Sequence, residues 1–497
     1  MYPVMNPGPR LFRLAMPIWV AAMGFAQNPC DRLRSLSLPA ATITAAESRA
    51  AAAVVPAHCR VTAILTPTSD SHIEMELWLP AGDWNGKFQA VGNGGWAGSI
   101  NVAGMAAALR EGYATASTDT GHKSAATPGA SFALDHPEKL VDFGYRAVHE
   151  MTIKSKAMIA AYYGRAPQLS YWNSCSNGGR QGLMEAQRFP EDFDGIVAGA
   201  PAANWTGRAL SSLWVAQVVH KDEASYIPPN KYPLLYNAVM QACDALDGVR
   251  DGILGDPRKC RFDPEVLRCP DADAPSCLTA AQVEAARKIY TPAANPLTRQ
   301  EFYPGLAPGS ELGWATYGGP RPFGIGNDYG KFVLFKNAGW DYRTLNFASD
   351  AALAYKTDNG TTNALDPNLR AFFAHGGKLI QYHGWSDPQI PPMHSVNYYK
   401  SVLEAMGGTE QVQGSYRLFM VPGMQHCGGG PGPNQFNAMG ALERWRESGI
   451  APDQMVASHV ANNRVDMTRP LCPYPQVAQY KAVGSTNDAA NFVCKAP

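Results

Sequence analysis

Two cysteines stand covalently beside the two residue types that carry acyl transfer. Cys175 precedes Ser176 and Cys427 follows His426, with 250 positions separating the serine from the histidine. If these cysteines pair, their Cα atoms lie roughly 5.5 Å apart, and adjacent Cα atoms are about 3.8 Å apart. A chain built this way must fold so that Ser176 and His426 share one site. The ten cysteines are an even number and suit an oxidising compartment. Cys30 with Cys59, Cys243 with Cys260, Cys269 with Cys277, and Cys472 with Cys494 are near neighbours, which leaves Cys175 and Cys427 for each other. Sequence alone does not fix connectivity. Zinc is a competing use of cysteines, but the chain has no C-x-x-C pair.

At 497 residues the chain exceeds the usual size of one core, so two domains, or one domain with a large insertion, are expected. Lys+Arg and Asp+Glu both number 42, which leaves no basic surplus for a nucleic-acid partner. Arg10 and Arg13 precede an apolar run from Leu14 to Ala26 that ends in Gly24-Phe25-Ala26. The pattern predicts a signal peptide over residues 1–26 and a secreted or periplasmic protein, with a buried N-terminal helix as the alternative. The run is too short for a membrane span, and no later one approaches about 18 apolar residues, so no membrane partner is expected.

Between residues 60 and 200 short β-rich runs alternate with helical patterns. Strands are expected at Ile73 to Leu79, Lys87 to Val91, Tyr113 to Ser117, Gln168 to Asn173 and Gly195 to Ala200, with helices at Leu140 to Tyr163 and Arg180 to Arg188. The rhythm returns with strands at Lys378 to Tyr382 and Tyr416 to Val421, and helices at Ser395 to Met406 and Asn434 to Ser448. Such alternation implies a mostly parallel sheet in an α/β fold. Residues 201–365 break it with Pro, Gly, Asn and four cysteines. The expected organisation is a discontinuous catalytic domain, 27–200 and 366–497, carrying an inserted lid at 201–365. An Ala-rich stretch at 40–54 reads as low-complexity sequence.

Ser174-Cys175-Ser176-Asn177-Gly178 joins an expected strand to an expected helix, the context of a nucleophile elbow. The usual pattern is G-x-S-x-G, and here Ser174 replaces the first glycine; a plain turn serine is the alternative. Asp387 and His426 each follow an expected strand. The order Ser176…Asp387…His426 is that of the α/β-hydrolases, and ligands bind at such strand ends in open α/β sheets. His426 is the candidate base, and Asp387 the carboxylate that orients it. An oxyanion hole needs two N–H groups: one from Asn177, the other from Gly94 or Gly95 in a Gly-rich loop that could also be only a turn.

Cys243-Asp244-Ala245-Leu246-Asp247-Gly248-Val249-Arg250-Asp251-Gly252-Ile253 places three carboxylates within eight residues. Such oxygen donors can wrap a hard cation, although the spacing is not that of an EF-hand. A solvated acidic turn is the alternative.

Taken together, Trp84-Asn85-Gly86-Lys87-Phe88, Val91-Gly92-Asn93-Gly94-Gly95, Ser117-Thr118-Asp119-Thr120-Gly121-His122, Cys175-Ser176-Asn177-Gly178-Gly179-Arg180-Gln181-Gly182 and His426-Cys427 resemble the tannase and feruloyl esterase family, which includes the mono-(2-hydroxyethyl) terephthalate hydrolases. The resemblance runs from about Cys59 to the C-terminus. It implies an α/β-hydrolase fold with a lid, a Cys175–Cys427 disulfide, the four shorter disulfides, and His383 facing the acyl pocket. It also implies a lid Ca²⁺ held by the Asp244, Asp247 and Asp251 side chains and the Val249 and Ile253 carbonyls, with no organic cofactor. The expected activity is a serine esterase acting on feruloyl, hydroxycinnamoyl or galloyl esters, free or attached to plant polysaccharide or tannin. Terephthalate monoesters are the alternative substrate, for which Arg321 or Arg343 of the lid could bind the free carboxylate. A peptidase would use the same triad, and a catalytically silent phenolic- or carbohydrate-binding protein is the remote alternative.

Overall fold

Nine strands form the central sheet in the computed structural model, which describes residues 1–5, 8, 28–123 and 129–496. Most of the leader expected over 1–26 therefore lies outside the described residues. The strands are β1 (Ala41–Arg49), β2 (His58–Leu65), β3 (Ile73–Pro80), β4 (Lys87–Ala90), β5 (Ala114–Thr118), β6 (Leu169–Cys175), β7 (Gly195–Gly199), β8 (Lys378–Gly384) and β9 (Tyr416–Val421). Their spatial order is β1-β2-β3-β5-β4-β6-β7-β8-β9. From β1 to β5 the pairing is antiparallel, and from β5 to β9 it is parallel. This is an α/β-hydrolase fold.

Burial follows position in the sheet. Every residue of β5 and β7 is buried, as expected of parallel strands covered by helices on both faces. β3 alternates at its start, and β1 is an exposed edge with a bulge between Ile43 and Ala45. The Ala-rich stretch is thus largely a paired edge strand. Its register comes from β2, and Cys59 of β2 is joined to Cys30, a constraint that alanines do not display.

The long helix Ala147–Tyr163 continues from a short π-type turn, Asp142–Arg146. That turn leaves the carbonyls of Phe143 and Gly144 to the buried guanidinium of Arg180. Between β7 and β8 the chain leaves the sheet and builds helices such as Trp205–Val219, Tyr232–Cys243 and Ala280–Tyr290 around an apolar cluster of their own. After β9 and helix Ala438–Ser448, two hairpins complete the described chain, Met455–Ala461 with Arg464–Leu471 and Val477–Tyr480 with Phe492–Lys495. Among the described residues no helix is long and apolar enough to cross a membrane.

Candidate active site

β6 runs directly into helix Asn177–Arg188, and Ser176 occupies the turn between them with φ 65°. A left-handed backbone at a non-glycine residue is strained and persists only where its surroundings impose it. Here Ser176 N–H donates to Gly199 O at 2.9 Å, and Ser176 O accepts from Ala202 N at 3.1 Å. The departure from the usual elbow pattern has a local solution: a Cβ on Gly178 would lie 1.9 Å from Ser174 Oγ. Ser174 fits because Gly178 has no side chain.

Asp387 and His426 follow β8 and β9. The two loops are knit together by Trp385 N–H to Val421 O at 2.9 Å and Ser386 N–H to Met424 O at 3.0 Å. Gly384 permits that approach, since a Cβ there would meet Met424 O at 2.2 Å. The result is a continuous relay. Ser176 Oγ lies 2.9 Å from His426 Nε2, and His426 Nδ1 lies 2.7 Å from Asp387 Oδ2. Cys175 and Cys427 are disulfide-bonded with Cα atoms 6.0 Å apart, and the other four pairs are those of near neighbours, so no cysteine is free.

Asp387 is fully buried. Burial opposes its charge, yet His426, His383 and the N–H groups of Gln389 and Ile390 gather round the carboxylate and hold it below the usual carboxylate range. A permanently ionised Asp387 keeps a proton on His426 Nδ1 and leaves Nε2 free to accept one from Ser176.

The resemblance implies that His383 faces an acyl pocket; in the structure both its ring nitrogens are engaged within the protein. It is fully buried behind Asp387, with Nε2 3.2 Å from Asp387 Oδ2 and 2.9 Å from Ile390 O, and Nδ1 2.7 Å from Ser395 Oγ. His383 is still within β8, and its ring packs against Ser395 of helix Met393–Met406. The Asn177 side chain is equally buried, its Oδ1 accepting from Arg180 Nε at 2.7 Å, so only its backbone is available for chemistry. The Gly-rich loop is stapled to the same helix by Asn93 N–H to Gln181 Oε1 at 3.1 Å and Gln181 Nε2 to Asn93 Oδ1 at 3.2 Å. Among the described residues, no protein acceptor takes the N–H groups of Gly94, Gly95 or Asn177.

The insertion reaches this site on two sides. A Cβ on Gly95 would stand 3.7 Å from Ile325 Cδ1, and Tyr317 OH donates to Gln389 O, two residues past Asp387. Arg208 is buried beside the same carbonyl, with Nε 3.3 Å from Gln389 O and its guanidinium over Phe323. Arg321 and Arg343 are exposed, and Arg343 pairs with Asp341. Sequence reading overlooked Arg208 and Ile325. The available signal for Arg208 was one cation in the otherwise uncharged helix Trp205–Val219.

The acidic loop is only partly convergent. Asp247, Val249, Asp251 and Ile253 line one cavity of about 40 Å³, whereas Asp244 lies outside it and accepts from Gly252 N–H at 3.1 Å. Burial, with repulsion from the neighbouring carboxylates, pushes Asp247 and Asp251 above the usual range, and Arg469 offsets part of this at 2.6 Å from Asp251 Oδ2. Asp247 and Asp251 offer oxygen donors of the kind a hard cation takes, while Arg258 and Arg469 line the same cavity and balance their charge.

The description "Tannase and feruloyl esterase" belongs to the family model that matches residues 59–495. An uncharacterized esterase of Xanthomonas campestris is 38% identical over 94% of this chain and 91% of its own length. A probable feruloyl esterase B-1 of Aspergillus oryzae is 34% identical, covering 88% of this chain and 84% of its own. The crystal structure of feruloyl esterase B from Aspergillus oryzae superposes with a TM-score of 0.87 at 30% identity, covering 94% of this chain and all of that one.

Proposed function

This chain belongs to the tannase and feruloyl esterase family, and from that premise we propose that it hydrolyses esters of aromatic carboxylic acids through an acyl-enzyme on Ser176. It is a carboxylic ester hydrolase. The observation that carries the mechanism is the unbroken relay Ser176–His426–Asp387 at three parallel strand ends.

Ser176 Oγ attacks the ester carbonyl as His426 Nε2 takes its proton. The tetrahedral oxyanion is held by the Asn177 N–H at the start of its helix and by Gly94 or Gly95 N–H from the loop stapled alongside. The imidazolium, steadied by Asp387, then protonates the leaving alcohol, and water repeats the sequence to release the aromatic acid. In this reading the insertion is a lid that selects the ester through Ile325, Phe323 and Arg208.

Feruloyl, hydroxycinnamoyl and galloyl esters are the proposed substrates, free or attached to plant polysaccharide or tannin. A terephthalate monoester is the second reading, favoured by the guanidinium of Arg208 beside Gln389 O, two residues past Asp387. Ca²⁺ would be held by Asp247 and Asp251 with the Val249 and Ile253 carbonyls, and by Asp244 after a local shift. A bound cation there supplies structural rigidity to the insertion. The five disulfides support a secreted or periplasmic location.

The deciding experiment compares kcat/KM on feruloyl, galloyl and terephthaloyl monoesters and on a peptide amide, for the wild type and Ser176→Ala. Turnover of the aromatic esters, reduced by ~10⁴-fold or more in the variant, is expected. Ester turnover that survives the substitution removes the triad assignment, and preference for the amide removes the esterase reading.

A further inference from the structure

On the far side of the nucleophile helix, three groups that the ester chemistry does not use converge. His149 comes from helix Ala147–Tyr163, Glu185 from the last turns of helix Asn177–Arg188, and Asp192 from the loop before β7. One ligand atom from each lies within 4.8 Å of the other two. His149 Nδ1 is 2.7 Å from Asp192 Oδ2, and the imidazole is stacked on Phe189 with centroids 3.9 Å apart. Lys156 Nζ donates to the backbone carbonyls of Asp192 and Glu191 at 2.6 and 3.3 Å, which fixes the loop that presents Asp192.

Glu185 is the anomaly. It is 1% exposed, and no N–H or hydroxyl group donates to either carboxylate oxygen; the one polar group within reach is the Asp192 carboxyl. A buried carboxylate without a partner is strongly disfavoured, so an acidic side chain placed there implies something that satisfies it. Burial and the adjacent Asp192 carboxylate push Glu185 well above the usual carboxylate range, and the Lys156 ammonium offsets only a small part of this.

We propose that His149, Glu185 and Asp192 form a site for a borderline first-row divalent cation of the Zn²⁺ type. One imidazole nitrogen and two carboxylate oxygens from three elements are a three-protein-ligand set for such an ion, with water completing the shell. The His149 side chain keeps 26% of its surface exposed, which gives the ion an entry path. An ion on His149 Nδ1 requires the neutral ring with its proton on Nε2 and both carboxyl groups ionised, so affinity rises with pH. The site would clamp the C-terminal end of the helix whose N-terminus carries Ser176.

The test uses the full chain, stripped with chelator and returned to saturating Ca²⁺ so that the acidic loop is not a competitor. Zn²⁺ is titrated by calorimetry and Co²⁺ by visible ligand-field absorption, for wild type, Glu185→Gln and His149→Ala. One Zn²⁺ per wild-type chain is expected, with nitrogen-ligated Co²⁺ bands and proton release, and ~10-fold or greater weakening in each variant. Hydrolytic activity retained by His149→Ala certifies its fold, so that variant alone decides if Glu185→Gln does not fold. Zn²⁺ binding that is absent from the wild type, or equal in wild type and variants, overturns the proposal and leaves Glu185 and Asp192 as a carboxyl–carboxylate pair sharing a proton.

Discussion

His383 Nε2 and Asp387 Oδ2 lie 3.2 Å apart, so the oxygen that receives His426 also receives a second, wholly buried imidazole. His383 Nε2 faces two acceptors, Ile390 O at 2.9 Å and the carboxylate, so it carries the proton, and in the neutral ring Nδ1 accepts from Ser395 Oγ at 2.7 Å. His383 is therefore a positioning residue that acts through Asp387.

Replacing it should separate chemistry from binding. His383→Gln is expected to lower kcat by ~10- to 100-fold, the cost of a small misplacement of the catalytic groups, with KM little changed. A lowered melting temperature with kcat unchanged would show that His383 is only structural.

The disulfide beside the catalytic pair can be compared with one remote from it. Paired Cys175→Ala and Cys427→Ala should destabilise the chain by about 2–5 kcal/mol in urea unfolding and lower kcat as well. The matched variant at Cys30 and Cys59 should lose stability with kcat unchanged. Equal kcat in the two double variants would deny the tether any part in aligning Ser176 with His426.

Glu311 supplies a pH-dependent test of the insertion. It is fully buried, accepts from Tyr290 OH and Gly309 N–H, and burial pushes its carboxyl up to about 7. A folded value above the unfolded one means that its contribution is present at low pH and lost as pH rises toward 7. The stability of wild type relative to Glu311→Gln should thus fall between pH ~4.5 and ~8 by on the order of 3 kcal/mol, measured by denaturant unfolding at both ends. A difference independent of pH would refute the assignment.

Calcium binding would raise stability by mass action, by about 2.7 kcal/mol at a hundredfold excess over Kd. Chelation should lower the melting temperature of the wild type and leave Asp247→Asn unmoved. A wild-type melting temperature that ignores both chelator and added Ca²⁺ would exclude the ion.

The sequence made contiguous or ordered features legible. The elbow at Ser176 was visible because strand, small residues and helix adjoin, and Asp387 and His426 because each follows a strand in a telling order. Contacts formed by layers packing on one another were not. His383 entered only through the resemblance, since nothing adjacent to it in sequence announces its contacts with Asp387, Ile390 and Ser395. β1 was hidden because alanines pair as a strand only when β2 supplies the register, and Glu185 looked like one more polar position on a helix until its burial was known. Arg208 stayed obscure because its neighbours, Phe323 and Gln389, lie more than a hundred positions away in sequence.

The long-range disulfide also has a consequence for biosynthesis. Cys175 leaves the ribosome before Cys243, Cys260, Cys269 and Cys277, and its partner Cys427 follows all four. If disulfides form as the chain emerges into an oxidising compartment, the Cys175 thiol waits while closer partners present themselves, and rapid local closure of Cys243–Cys260 and Cys269–Cys277 would keep them out of reach. A chain truncated before β9 would carry Ser176 without its base, so hydrolytic competence arrives only with completed synthesis.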